Sequence, residues 1–301
     1  EILGQRDCDE GQTRRMAMTV IANALVFHLT LHQANFKVED LNNNAWRTVK
    51  SPIQLWNHTV ITSRPLLAEW KAILAVNYWP IFNTASRLLE ILPTRTASEV
   101  LGSLLDTAEK LVAGGVTKSH DLTGVIFQRL IADRKFLATF YTRPAAASLL
   151  AGMAIPFKSS YETVNQNGIE SASDTRIGDF ACGTGTLLST AYRRICILNE
   201  TSGIDPKRLH QKFMRDGLVG LDVLNVAVHL TATMLAGAYP STTFEGECLL
   251  TMPYGNQKWG LAVGSLDLIS RQTSIDLIEA AAKTSGGRGE ELVTNIIDRV
   301  R

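Results

Sequence analysis

Residues 179–188 carry the sequence DFACGTGTLL, in which an acidic residue, a Gly-x-Gly turn and an apolar run follow one another. The residues around the acidic position, 176–180, predict a short strand, and residues 186–198 predict a helix. Glycine lets backbone approach a ligand that a side chain would obstruct. The stretch therefore predicts a strand, a glycine turn able to contact a ligand, and a helix.

The same order of elements recurs further along the chain, with a strand predicted at 218–223 and a helix at 225–238. Strands that alternate with helices imply a parallel sheet covered by helices, which is the α/β class. Ligands of such sheets bind at the carboxyl ends of the strands. Asp179 and Asp222 both fall at such ends, so we expect the site at this edge.

Asp179 and the start of the following helix indicate what the ligand carries. A carboxylate at a strand end can accept hydrogen bonds from an ammonium group, and a helix N-terminus binds a carboxylate. A ligand with both groups is an amino acid, and the methionine half of S-adenosylmethionine is one. A nicotinamide dinucleotide fits less well, because its fingerprint needs a third glycine where this chain has Leu188.

The stretch at 179–188 resembles the first motif of the amino-methylating DNA methyltransferases, in which Asp-Pro-x-x-Gly-x-Gly is typical; Phe180 replaces the proline. It is most similar to the N6-adenine group of type I restriction-modification subunits and fused restriction-methylation proteins. The resemblance implies a Rossmann-like, S-adenosylmethionine-dependent methyltransferase domain, which we place at 139–301. It also implies methylation of adenine N6 in DNA, within a restriction-modification or phage-defence system.

Further segments match the same family in the expected order. Residues 140–144, FYTRP, are similar to the Phe-Tyr-Thr-Pro motif before the cofactor loop, and residues 264–269, GSLDLI, resemble the segment that flanks the cofactor adenine. Residues 220–230, GLDVLNVAVHL, resemble the family's acidic strand end followed by an Ala-x-x-Leu helix, with Asp222 in the ribose role. Either Ser265 or Asp267 reaches the exocyclic amine. The residues that the resemblance assigns to cofactor binding are Tyr141, Thr142, Asp179, Ala181, Gly183, Gly185, Asp222, Val223, Ser265, Leu266 and Asp267.

The family's catalytic motif, Asn/Asp-Pro-Pro-Tyr/Phe, does not occur in the 301 residues. Residues 251–254, TMPY, are superficially similar, but they lack the Asn and precede the segment at 264–269. We therefore expect the methyltransferase domain to be incomplete, with the motif beyond Arg301. No catalytic residue is assigned, and the chain by itself is expected to be inactive.

The first part of the chain, residues 1–138, is predicted to be an all-helical domain. Apolar residues recur at helical spacing in several segments, and the Asn run at 42–44 predicts a turn between helices. The predicted helices cover 13–33, a segment that starts at Pro65, 86–92, 97–112 and 121–135. In the family such regions contact DNA or partner subunits, so the resemblance implies DNA and specificity or restriction subunits as partners.

Composition sets limits on these interpretations. The net charge of +1 gives no sign of a nucleic-acid-coating protein. The four cysteines are too scattered for a zinc site or a disulfide framework, so we expect reduced thiols and no metal. No long apolar run or signal segment is present, which favours the cytoplasm over a membrane.

Two other functions remain open on the sequence alone. Related methyltransferases act on RNA or on a protein glutamine with the same catalytic motif, while the long N-terminal region and residues 140–144 favour DNA. A module that binds cofactor or a partner without methyl transfer is the third reading, because the amine-activating residues are missing.

Overall fold

The structure, a computed structural model, describes residues 10–40, 45–56, 63–115, 142–155, 175–200, 205–244, 248–258 and 260–269. These residues form two compact units. The first contains the described residues up to 115 together with 232–244, and the second contains 142–231 and 248–269. The boundary predicted at 138/139 and the helix predicted at 121–135 lie outside the described residues.

Helices make up most of the first unit. Prolines near the helix starts suit positions whose N–H groups have no partner within the helix, and Ser51 caps the second helix with its side chain. The elements are α1 (Glu10–Gln33), β1 (Lys37–Asp40), β2 (Ala45–Thr48), α2 (Pro52–Leu55), α3 (Arg64–Val76), α4 (Trp79–Ile91) and α5 (Thr94–Ala113).

Buried aromatic rings form the centre of the first unit. The Phe27 ring lies 5.2 Å from that of Tyr78 and 6.1 Å from that of Phe82, centroid to centroid. The Tyr78 hydroxyl lies 2.7 Å from the carbonyl oxygens of both Pro240 and Thr242. This buried polar contact attaches the segment around residue 240 to the helices of the first unit.

The first part of the chain was predicted to be all-helical. This prediction is wrong, because β1 and β2 form an antiparallel hairpin. The Asn run at 42–44 lies outside the described residues, but the elements on either side of it are strands rather than helices. Arg47 on β2 makes a bidentate ion pair with the buried Glu69 on α3, with N–O distances of 2.6 and 2.8 Å. This pair ties the hairpin to the helices.

A buried histidine in the first unit is held in its neutral form. The Trp70 indole N–H donates to His28 Nδ1 at 3.2 Å, and His28 Nε2 lies 2.9 Å from the Lys50 carbonyl oxygen. Each ring nitrogen thus has the partner that a neutral imidazole with its proton on Nε2 requires. Burial lowers the pKa of His28 from 6.5 to about 4.

This lowered pKa predicts a loss of stability in mild acid. The unfolded chain takes up a proton at His28 below pH 6.5, and the folded chain does so only near pH 4. The stability that neutral His28 contributes is therefore fully present above pH 6.5 and is lost as the pH falls. The contribution should shrink by about 2 kcal/mol between pH 6.5 and 5. Urea unfolding of wild type and His28→Gln across this range measures it; parallel pH profiles would contradict the assignment.

The second unit contains the strand–helix alternation. Asp205 caps the helix that begins at Pro206 by accepting the Lys207 N–H at 3.1 Å, as expected for an acidic N-cap. The elements are α6 (Pro144–Ala154), β3 (Ile177–Asp179), α7 (Thr186–Glu200), α8 (Pro206–Lys212), a π turn (Phe213–Gly217), β4 (Leu218–Asp222), α9 (Asn225–Ala236, whose residues from 232 belong to the first unit), β5 (Leu249–Thr251), β6 (Tyr254–Gln257), β7 (Gly260–Val263) and a 3₁₀ turn (Gly264–Ile269).

Strands β3, β4 and β5 form a parallel sheet in chain order, with helices in both connections. The described part of the chain is therefore a mixed helix-and-sheet protein compatible with the predicted α/β class. Strands β6 and β7 form a separate antiparallel hairpin, so residues 264–269 follow a hairpin strand rather than a strand of the parallel sheet. Among the described helices, none combines the length and apolarity needed to cross a membrane.

Candidate functional site

The carboxyl edge of the parallel sheet carries the predicted acidic residues. Asp179 pairs in register with Gly220, so Asp222 lies two residues beyond it on the neighbouring strand. Asp222 in turn pairs with Thr251 on β5. Because parallel strands end at one edge, the chain after β3, β4 and β5 meets there, as expected for a ligand site of an α/β sheet.

A loop with two glycines joins β3 to α7 at this edge. Gly183 has φ 56° and Gly185 has φ 79°, both in the left-handed region that L side chains rarely adopt. A Cβ on Gly183 would meet nothing within 4 Å, whereas one on Gly185 would lie 2.7 Å from Cγ2 of Thr231. Gly183 therefore presents an open backbone face, and Gly185 is packed against the protein.

Asp222 is bonded to this loop. Its Oδ2 accepts the Gly183 N–H at 2.9 Å, and its Oδ1 accepts the Leu224 N–H at 2.8 Å. Burial raises the pKa of Asp222, and these two hydrogen bonds oppose that rise. Since a carboxylate offers about four acceptor positions, Asp222 can brace the loop and still accept hydrogen bonds from a ligand.

Asp179 lies at the start of the same loop, where its Oδ1 accepts the Ala181 N–H at 3.2 Å. Burial raises the pKa of Asp179, and the charge of Asp179 is one of the causes that raise the pKa of Asp222. Two partly desolvated carboxylates thus lie at the ends of neighbouring strands. A cationic group bound between or beside them would lower both pKa values, so the edge favours a positively charged ligand.

The first turn of α7 adds hydrogen-bond donors to the site. The Gly185 N–H bonds the Cys182 carbonyl at 2.8 Å, and the Ser189 N–H bonds the Gly185 carbonyl at 2.8 Å. The N–H groups of residues 186–188 belong to the first helical turn, whose donors have no carbonyl partner within the helix. N–H groups in such a turn can bind an anion.

Leu188 and Gly220 lie in contact where α7 packs closely on the sheet. Leu188 is fully buried, and a Cβ on Gly220 would lie 2.7 Å from its Cδ1 and 2.6 Å from Cδ2 of Leu249. In the dinucleotide fingerprint a helix glycine provides this close packing. Here the glycine is on the strand and the large side chain on the helix.

Ser265 reaches the glycine loop. Its hydroxyl donates a hydrogen bond to the carbonyl oxygen of Phe180, the residue after β3. Gly264, with φ 69°, leaves no room for a Cβ, which would lie 2.8 Å from Cγ1 of Val223. The predicted residues Val223 and Ser265 are thus brought to the ends of β3 and β4.

Asp267 and Leu266 are placed differently from each other. Asp267 is 5% exposed, and its Oδ2 accepts the Val263 N–H at 2.8 Å, so its carboxylate closes the 3₁₀ turn after β7. Leu266 is 65% exposed. Of the two polar candidates for the adenine amine, Ser265 bonds directly to the loop, and Asp267 is engaged with the hairpin backbone.

The segment at 140–144 is described only from Thr142. Tyr141 lies outside the described residues, and Thr142 comes just before α6, which begins at Pro144. Helix α6 packs against α7, and Arg194 Nε donates to the Ile155 carbonyl oxygen at 3.2 Å. The helix after this motif therefore packs on the helix after the glycine loop.

Two parts of the edge were not predicted from the sequence. Thr231 on α9 donates to the Gly183 carbonyl oxygen at 2.9 Å and carries no motif signal. Strand β5 was missed, although residues 248–251, CLLT, are a short apolar run of the kind that can form a buried strand. The Met252 N–H after β5 donates to the Asp222 carbonyl oxygen at 2.7 Å, so residues 251–254 start at this edge.

Comparisons with protein-family models, curated proteins and solved structures find no match for the chain. Within the described residues, no group of three or more His, Cys, Asp or Glu side chains could hold a metal ion.

Proposed function

We propose that the second unit binds S-adenosylmethionine at the carboxyl edge of its parallel sheet and belongs to a Rossmann-like methyltransferase domain. The observation that carries the proposal is the glycine loop, in which Gly183 presents an open face beside the carboxylates of Asp179 and Asp222. The ligand is cationic at its ammonium and sulfonium groups and anionic at its carboxylate. The acidic pair suits the cationic groups of the ligand, and the start of α7 suits its carboxylate.

The same geometry disfavours a dinucleotide. Its pyrophosphate would have to lie against the loop that Asp179 precedes, where like charges repel. Leu188 fills the position of the fingerprint's third glycine, and its contact with Gly220 replaces the close packing that this glycine provides. The ribose of S-adenosylmethionine is compatible with the unused acceptor capacity of Asp222, as the ribose of a dinucleotide would be.

The proposed substrate is the N6 amino group of adenine in DNA, and it rests on the resemblance of residues 140–144, 179–188, 220–230 and 264–269 to that family. DNA and specificity or restriction subunits are the partners that this function implies. A base in a duplex must be flipped out before its amine can reach a methyl donor. RNA and protein glutamine are the alternative substrates of the same chemistry.

A cofactor-binding module without transferase activity is the second candidate, favoured by one observation. The 301 residues contain no Asn-Pro-Pro-aromatic sequence to accept hydrogen bonds from the target amine. Transfer to an aromatic amine needs an acceptor where charge develops on nitrogen. In this proposal Asp179 and Asp222 are committed to the cofactor, and Asp267 bonds the hairpin backbone, so none of the three serves as that acceptor.

Radiolabelled methyl transfer to adenine-containing duplex DNA separates these candidates. We expect no methyl transfer from the 301-residue chain. We expect methyl transfer from a longer form that contains an Asn-Pro-Pro-aromatic sequence after Arg301. RNA and glutamine-containing protein serve as parallel substrates. Transfer by the chain as printed would contradict this expectation and direct attention to residues 251–254; a continuation without the motif would favour the binding module.

A further inference from the structure

Thr231 in the middle of α9 makes an unusual hydrogen bond for a helical threonine. A threonine hydroxyl in a helix commonly bonds the carbonyl four residues earlier. Helical threonines that follow this rule include Thr19, Thr30, Thr107 and Thr190. Thr231 instead donates to the carbonyl oxygen of Gly183, which lies 48 positions away in the sequence.

The same side chain also fills the space behind the second glycine. Thr231 is fully buried, and a Cβ on Gly185 would lie 2.7 Å from its Cγ2 and 2.9 Å from its Oγ1. Its hydroxyl and its methyl group therefore contact different residues of one loop. The side chain therefore lies directly behind the two left-handed glycines of the loop.

Gly183 is held on both sides as a result. Its N–H donates to Asp222 Oδ2 at 2.9 Å, and its carbonyl oxygen accepts from Thr231 at 2.9 Å. Both polar groups of this peptide backbone are thus engaged by the protein, and the open Cα face is what remains toward a ligand.

We infer that Thr231 is a positioning residue, which holds the glycine loop in the conformation that binds the methionine end of S-adenosylmethionine. The identity of the ligand in this inference rests on the proposed function. That Thr231 holds the glycine loop rests only on its contacts with Gly183 and Gly185. Thr231 touches no part of the ligand in this account. It acts through Gly183 and Gly185.

The test compares Thr231→Val, which keeps the shape and removes the hydroxyl, with Thr231→Ser, which keeps the hydroxyl. Thr190→Val is the matched control, because it removes a helix hydroxyl that bonds its own helix at 2.7 Å. Affinity for S-adenosylhomocysteine is measured by calorimetry. We expect Thr231→Val to bind roughly tenfold more weakly, and Thr231→Ser and Thr190→Val to bind like wild type.

Amide hydrogen exchange in the ligand-free protein supplies the readout that a general stability effect would not give. In Thr231→Val the amides of Gly183 and Gly185 should exchange faster, while those in the middle of α7 should not. If Thr231→Val does not fold, Thr231→Ala replaces it, because it places no methyl group against the Gly183 carbonyl.

The outcomes are separable. A wild-type chain that does not bind S-adenosylhomocysteine contradicts the proposed function and, with it, the ligand role of Thr231. A wild-type chain that binds, with Thr231→Val equal to it in affinity and in loop exchange, contradicts the inference alone. Faster exchange spread evenly over the unit also contradicts it, because it indicates a merely structural role.

Discussion

Gly185→Ala is expected to lower the free energy of unfolding by about 4 kcal/mol, the largest stability effect that the structure predicts for the loop. The new Cβ would lie 2.7 Å from Cγ2 of Thr231, which is fully buried. The backbone at this position also has φ 79°, which strains any residue with a Cβ. Urea unfolding measured by circular dichroism checks the value.

Gly183→Ala is the matched control for this variant. Its φ of 56° imposes similar backbone strain, but its Cβ would meet nothing within 4 Å, so a loss of only about 1 kcal/mol is expected. Adding Thr231→Ala to Gly185→Ala should recover part of the loss, because the closest side-chain atoms are removed. Equal losses in the two alanine variants would contradict the packing described for Gly185.

Asp222→Ala is expected to have the largest effect on ligand binding. The variant removes the acceptor of the Gly183 and Leu224 N–H groups, at 2.9 and 2.8 Å, and the proposed acceptor for the ribose hydroxyls. Charged hydrogen bonds of this kind contribute about 1–3 kcal/mol, so affinity should fall roughly tenfold to a hundredfold.

Asp205→Ala is the control for this loss of affinity. Asp205 also accepts a backbone N–H in the second unit, that of Lys207 at the start of α8. The control removes one acidic residue and one capping bond without removing an acceptor from the glycine loop. Its affinity should equal that of the wild type, whereas a matching loss in both variants would point to net charge or stability as the cause.

Local patterns predicted the elements around the loop closely. The helix predicted at 186–198 is Thr186–Glu200, the strand predicted at 218–223 is Leu218–Asp222, and the helix predicted at 225–238 is Asn225–Ala236. Glycines, an acidic residue and regularly spaced apolar residues lie close together in this part of the chain. Together they determine where each element begins and ends. The assignment of cofactor-binding roles to their residues stays a prediction.

The sequence did not predict the short strands or the contacts between residues that are far apart in the chain. Strands β1 and β2 have four residues each and β5 has three, too few for alternation to distinguish a strand from a turn or a helix end. The Asn run lies outside the described residues, so the turn predicted there stays a prediction, whereas the neighbours that were assigned to helices are strands. Thr231 meets Gly183 only through the packing of α9 behind the loop, which no local pattern indicates.

Calorimetric titration of S-adenosylhomocysteine into the wild-type chain and into Asp222→Ala tests the central claim most directly. The demethylated product is used because it carries the same amino acid and ribose and cannot react. We expect saturable binding to the wild type and affinity lower by roughly tenfold to a hundredfold in Asp222→Ala. No binding to the folded wild type, or equal affinity in the two proteins, would contradict it.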